Sequence, residues 1–251
     1  MESKLADIIA ASRRIVFFGG AGVSTESGIP DFRSAGGLYN KSAQVDYAPE
    51  EIISASFFAR HTEDFYDYYR KNLVYPDARP NAAHLALAAL ERAGKVSAVV
   101  TQNIDGLHQL AGSKRVLELH GSVLRNFCVG CGKAFGVDAI LRPQGVPRCD
   151  ECGAVIKPDV VLYEEPLNTR VVEESVAEIA AADTLIVGGT SLVVYPAAGL
   201  VHSFRGQHIV LINKQATGFD SRATLTIREP IGQALADFTD YDSRATGLEE
   251  P

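Results

Sequence analysis

The chain has 251 residues and carries 24 Lys and Arg against 31 Asp and Glu, a formal charge of −7. That acidic balance argues against a protein that coats duplex nucleic acid, and 46% apolar with 22% charged residues argues against wholesale disorder. Its four cysteines are too few for a disulfide scaffold, so their positions matter more than their number.

At the N-terminus, Asp7 interrupts the apolar stretch and Arg13 and Arg14 follow it, so the segment does not read as a secretory leader. A first strand is predicted over Arg14–Phe18, followed by Gly19-Gly20-Ala21-Gly22-Val23-Ser24-Thr25. Glycines between a strand and a helix let backbone N–H groups approach a diphosphate. The third glycine of the full dinucleotide fingerprint is missing, as is an acidic residue about 20 positions on, and a structural turn is the alternative. The irregular run Glu26 to Arg33 reads as an ordered loop covering a ligand.

Residues 32–80 are rich in aromatics, including Phe57, Phe58, Phe65, Tyr66, Tyr68 and Tyr69, and read as a helical insert. Helical spacing then covers Asn81–Ala93 and, later, Val171–Ala181. Further strands are predicted at Val96–Thr101, Val116–Leu119, Thr184–Val187, His208–Ile212 and Ala223–Ile227. Strands alternating with helices imply a mostly parallel sheet covered on both faces, with ligands bound beyond its carboxyl ends. Residues 122–158 interrupt the alternation, and the polar tail 241–251 is expected to fray. The stretch Thr184 to Phe204 has no charged residue and is long enough to cross a bilayer. Its Gly188-Gly189-Thr190-Ser191 and Pro196 instead read as strand, tight loop and helix start. The expectation is a soluble, cytoplasmic protein.

Two strand ends carry clustered polar groups: Thr101-Gln102-Asn103-Ile104-Asp105 and Glu118-Leu119-His120-Gly121-Ser122. Such groups are costly to bury unless they bond one another or a ligand. His120 could serve as a general base, since imidazole titrates near neutrality. Turn chemistry is the plainer reading for Asn103, and a satisfied core histidine for His120; His84 and His108 are read as core. The cysteines form Cys128-x2-Cys131 and Cys149-x2-Cys152, with 17 residues between the pairs. Two such turns can complete a tetrahedron of thiolates around Zn²⁺, the alternatives being two disulfides or buried thiols. With four thiolates the site would be closed and structural.

Taken together, these stretches resemble the sirtuin family, the NAD-dependent protein lysine deacylases. The resemblance lies in GAGVSTESGIPDFR (Gly20–Arg33), TQNIDGLHQLAG (Thr101–Gly112), ELHGS (Glu118–Ser122), the paired cysteine turns, KPDVVLYEE (Lys157–Glu165) and GTSLVVYPAAGL (Gly189–Leu200). It implies a Rossmann-like NAD domain (1–31, 81–121, 159–240). It also implies a small domain made of the helical insert (32–80) and the zinc insert (122–158). NAD would be contacted by Gly20, Ala21, Gly22, Thr25, Asp31, Phe32 and Arg33, with Phe32 shielding the nicotinamide. Gln102 and Asn103 would touch the ribose, and Ile104 and Asp105 would hold the carboxamide. Gly189, Thr190, Ser191 and Asn213 would meet the phosphates and adenosine, and Ile231 the adenine. His120 would be the catalytic base, with Asn103 beside it.

The implied substrate is an acetyl-lysine protein or peptide, paired between Val160-Val161-Leu162 (Asp159 preceding) and Val193-Val194-Tyr195. Its carbonyl oxygen would attack the ribose C1′ as nicotinamide leaves, and the products would be deacetylated lysine and 2′-O-acetyl-ADP-ribose. Neither nucleic acid nor a membrane is expected as a partner. Glu164 stands where the family often has glycine, which places extra charge at the peptide mouth. Members specialised for acidic acyl groups carry Tyr-x-x-Arg; here Tyr66 and Tyr69 match, and Arg70 lies one place late, turned about 100° around the helix. A neutral acyl group is therefore expected. The alternatives are removal of longer neutral acyl groups or mono-ADP-ribosyl transfer. More distant ones are an NAD(P) oxidoreductase, or a zinc-ribbon module without catalysis.

Overall fold

The computed structural model describes residues 2–31, 37, 47–141 and 145–241. Among them the strands are β1 (Ile15–Gly19), β2 (Val96–Thr101), β3 (Val116–Glu118), β4 (Gly121–Cys128), β5 (Ala134–Gly136), β6 (Ile156–Val160), β7 (Thr184–Gly188), β8 (His208–Ile212) and β9 (Leu225–Ile227). The α-helices are α1 (Glu2–Ala11), α2 (Pro49–Ile52), α3 (Ala55–Arg60), α4 (Thr62–Asn72), α5 (Ala82–Arg92), α6 (Leu107–Ala111), α7 (Thr169–Ala181) and α8 (Ile231–Ala234).

A strand buried on both faces has no polar side to show, and that accounts for the continuous apolar runs. Alternate residues of β1 go to opposite cores. Ile15 and Phe17 pack with Leu87 and Leu90 of α5, whereas Val16 and Phe18 pack with Ile179 of α7 and Val201. Six strands pair in the order β3-β2-β1-β7-β8-β9, and each pairing is parallel. The chain winds outward from β1 in both directions, so the switch point of this Rossmann-like sheet lies between β1 and β7. Register places Gly19 opposite both Thr101 and Gly188, bringing three strand ends level.

The predicted β1 is shifted by one residue. Arg14 lies outside it because its carbonyl accepts from Asp183 N at 3.0 Å and its N–H donates to the Asp183 carboxylate at 3.0 Å. The strand predicted over Ala223–Ile227 begins only at Leu225, since Ala223 N is still bonded to Asp220 O in the preceding turn. No α-helix follows the first glycine loop among residues 21–31. Two 3-10 turns, Ala21–Val23 and Thr25–Ser27, stand there, with bonds such as Ser24 N to Ala21 O (3.1 Å) and Ser27 N to Ser24 O (3.0 Å). Residues 197–203, where a helix start was expected, are likewise 3-10 helix. No helix among the described residues is long and apolar enough to cross a membrane.

The cysteine-bearing segment holds a second sheet, antiparallel and ordered β5-β4-β6. β6 ends at Val160, so the extended stretch expected through Leu162 leaves the ladder two residues early. Phe65, Tyr66 and Tyr69 of α4 share a third core with Val123, Cys128 and Ile156 of this sheet. Arg70 fastens the same contact, donating to Ile140 O at 2.7 Å and Gly145 O at 2.6 Å.

Candidate active site

A cavity of about 500 Å³ opens at the carboxyl ends of β1, β2 and β7 and runs to the end of β6. Its floor is formed by two glycine loops in contact. Gly20 N donates to Gly188 O at 3.2 Å and Gly22 N to Gly189 O at 2.8 Å. A Cβ on Gly22 would stand 2.8 Å from Gly189 Cα, and Gly189 has φ +59°, so both positions require glycine. Part of the glycine pattern is therefore structural: these two N–H groups face the neighbouring loop. Ala21, Thr25, Thr190 and Ser191 line the cavity beside them.

His120 follows β3 and lines the same cavity. Its Nδ1 lies 3.0 Å from Gln102 O. A carbonyl only accepts, so Nδ1 carries the proton and Nε2 keeps its lone pair. Burial pushes the imidazole below its ordinary pKa, against a smaller opposing effect of the Gln102 bond. His120 is thus neutral at physiological pH and competent as a base. Gln102 is placed in turn by Gln102 N to Gly19 O (3.0 Å) and by Nε2 to Thr190 Oγ1 (3.1 Å).

Past the end of β2, Asn103 Nδ2 donates to Ser24 Oγ at 3.1 Å and Ser24 Oγ to Asp105 Oδ2 at 2.6 Å. Asp105 Oδ1 accepts from Leu107 N at 2.9 Å. Ser24 is only 1% exposed yet belongs to the lining. It lies inside the Gly20–Arg33 motif, but a short hydroxyl in a loop reads as turn chemistry, so sequence reasoning did not single it out.

Of the other predicted residues, Gly20, Gly22, Asp31, Ile104, Gly189, Asn213, Ile231, Val160, Val161, Leu162, Val194 and Tyr195 line the cavity. Val193 is 54% exposed and does not line it. Phe32 and Arg33 lie outside the described residues. His84 and His108 are core residues as expected, their rings tilted at 58° with centroids 4.7 Å apart, but neither ring nitrogen of His108 finds a hydrogen-bond partner among the described residues. Tyr66, Tyr69 and Arg70 do not line the cavity; Tyr66 OH donates to Ile156 O. The lining also includes Lys214, Glu229, Ile53 and Leu73, which carried no motif. A second, apolar cavity of about 200 Å³ shares Leu73 and Asp105 with the first.

Glu164 has φ +75°. Its carboxylate lies at the cavity rim but accepts from Ser56 N at 2.8 Å and Ser56 Oγ at 2.9 Å, so its charge is turned toward α3.

The four cysteine sulfurs lie within 4.8 Å of one another, and none is in a disulfide. Cys128 and Cys152 Sγ are 3.3 Å apart, and Cys131 and Cys149 Sγ 3.6 Å. A tetrahedral site with 2.3 Å metal–sulfur bonds has edges of about 3.8 Å, so the donor set fits zinc. The Cys131 N–H, first among several donors, pulls the Cys128 thiol down to about 6, while Cys131 and Cys152 are raised, against the pull of the Lys133 and Ala154 N–H groups, by the sulfurs beside them. None of the four lines the cavity.

The model of the Sir2 family matches residues 20–196. The NAD-dependent protein deacetylase of Clostridium perfringens is 58% identical over 239 residues, covering 95% of this chain and 98% of that protein. The protein of the same name from Cutibacterium acnes is 55% identical over 233 residues, covering 93% and 95%. Among solved structures, a Sir2 homologue complexed with NAD superposes with a TM-score of 0.86 at 38% identity, covering 98% of this chain and 95% of its own. A Sir2 structure with a deacetylated p53 peptide and 3′-O-acetyl-ADP-ribose gives a TM-score of 0.84 at 40% identity, covering 93% and 95%. With the motifs, the sheet order and the cavity in agreement, the chain belongs to the Sir2 (sirtuin) family.

Proposed function

We propose that the protein is an NAD-dependent protein lysine deacetylase that moves the acetyl group of a lysine to ADP-ribose. The observation that carries this reading is His120: a neutral imidazole with a fixed tautomer, in one cavity with the glycine loops and the edge of β6. As co-substrate, NAD supplies a ribose carbon from which nicotinamide leaves, and the acyl-lysine supplies the attacking oxygen. His120 Nε2 takes the proton from a ribose hydroxyl so that this oxygen can accept the acyl carbon. Gln102 holds His120 in place through its carbonyl, and the Asn103–Ser24–Asp105 chain keeps the second strand end rigid.

Ala21, Thr25, Thr190 and Ser191 would contact the diphosphate, Asp31 with Phe32 and Arg33 the nicotinamide side, Ile104 and Asp105 the carboxamide, and Asn213 and Ile231 the adenosine. β6 is an edge strand, and the segment continuing from it lines the cavity, so a peptide can add beside Val160–Leu162 by main-chain pairing. Val194 and Tyr195 form the facing wall. The inserts 32–80 and 122–158 act as one small domain against the sheet domain, a division supported by their shared core. The cysteines hold structural zinc and do no chemistry. Four unbridged thiols also suit the reducing cytoplasm.

Incubation with NAD and a panel of acetyl-, succinyl- and longer acyl-lysine peptides tests the reading. Nicotinamide release with acetyl peptides, lost in His120→Ala, is expected; formation of NADH or silence with every peptide would sink it. A second reading, removal of longer neutral acyl groups, is favoured by the apolar cavity that adjoins the first at Leu73 and Asp105. In that case longer acyl peptides would outcompete acetyl ones.

A further inference from the structure

Residues 53–56 and 163–164 form a strap between the helical insert and the loop that follows β6. Tyr163 N donates to Ile53 O at 3.0 Å, and Ala55 N to Tyr163 O at 3.0 Å, as in a parallel bridge. The next bonds in this ladder come from a side chain, with Glu164 accepting from Ser56 N and Ser56 Oγ. Glu164 holds a left-handed backbone that glycine adopts freely and a residue with a Cβ does not. The same loop is pinned on its other side: Val161 N donates to His120 O at 3.0 Å, and Leu162 N to the Glu165 carboxylate at 2.9 Å. Lys157 in turn pairs with Glu165 at 3.1 Å.

We infer that Glu164 is a positioning residue for the peptide substrate, its carboxylate latching the peptide-pairing loop to Ser56 of α3. This rests on the deacetylase reading above. Because the charge is directed at Ser56, the residue acts on the shape of the groove and leaves the choice of charged flanking residues largely to others. It also explains how this chain keeps a non-glycine residue at a left-handed turn: the latch opposes the backbone strain.

Glu164→Gly removes the carboxylate and the strain together, so folding is not endangered. In that variant the peptide KM is expected to rise about tenfold, with kcat at saturating peptide changed less than twofold and the KM for NAD unmoved. Glu164→Gln keeps an acceptor of the same shape and should stay within threefold of the wild-type KM. Ser56→Ala should fall between them, and adding it to Glu164→Gly should change KM no further. Hydrogen exchange at the Ser56 amide should accelerate at least tenfold in Glu164→Gly. An active protein whose peptide KM is unmoved by Glu164→Gly, or whose Ser56 amide stays protected, overturns the latch alone. Absence of any activity on acyl peptides overturns the deacetylase reading and the substrate role with it.

Discussion

Phe17 and Cys128 are both out of solvent, at 0% and 1% exposure, yet different forces put them there. Phe17 sits in a strand paired on both edges and packed among α1 and α5, far from any free end of the sheet. Cys128 closes β4 at the rim of a smaller core, half of it lent by the aromatic helices of another segment. Its sulfur faces three other thiols and accepts from the Gly130 and Cys131 N–H groups. The sheet is therefore ordered by apolar area, whereas the insert carries a donor set that fits an ion to hold its knuckle turns together. A site spanning the two inherits the weaker partner's vulnerability.

The sharpest way to break this contrast is to remove the metal. Chelation, or Cys128→Ala, should abolish deacetylation and the amide protection of Phe127 to Cys131, while amides of β1 and β7 stay protected in hydrogen exchange. Loss of both together would show that the sheet depends on the insert. Next in size, His120→Ala should lower kcat by roughly 10²–10⁴-fold with the thermal midpoint moved by no more than a few degrees. A wild-type rate would remove His120 from the chemistry.

Ser24→Ala sharpens the contrast within the sheet domain, since it cuts the link between Asn103 and Asp105. Hydrogen bonds to a charged group contribute about 1.5–3 kcal/mol, so kcat/KM should fall roughly ten- to hundredfold if that link positions the site, and an unchanged value would make Ser24 a bystander.

Acid acts on stability as well as on rate, and on the sheet side. Burial lowers His84 to about 4 and His108 well below the ordinary value of 6.5. Below about pH 6.5 the unfolded chain takes up protons that the folded chain refuses, so stability falls as pH drops from there toward 4. His84 and His108, with ring centroids 4.7 Å apart, lose this stability as a pair. Urea midpoints measured against pH would check it, and a flat profile in His84→Gln together with His108→Gln would assign it. Activity should also decline on the acid side as His120 becomes protonated, at a pH below 6.5 because its own value is lowered.

The parallel sheet was legible in the sequence because two-sided burial writes unbroken apolar runs such as Ile15–Phe18 and Leu185–Val187. The cysteine spacing was legible for the opposite reason: four ligands to one ion leave few alternatives. The antiparallel sheet was not read, and β4 shows why. Its pairing with β6 shifts register between Ser122 and Asn126, so inward and outward residues stop alternating. The 3-10 turns after β1 were missed because tertiary bonds from Ser24 and Asn81 shape them, Asn81 Nδ2 donating to Val23 O at 2.8 Å. Glu164 could be flagged as a departure, but its direction depended on Ser56, more than a hundred residues earlier in the chain.

The partner of His120 Nδ1 is a peptide carbonyl, a neutral dipole, and that has a consequence for timing. A carboxylate in that place would stabilise the imidazolium and let the ring keep its proton; the Gln102 carbonyl does so only weakly. On the deacetylase reading proposed above, the ring would then be a brief carrier that hands the proton onward within the same turnover. Among the described residues the Nδ1 partner is the Gln102 carbonyl, which does not titrate, so the acid limb of the rate profile should report one ionisation, with the next acceptor supplied by substrate or solvent.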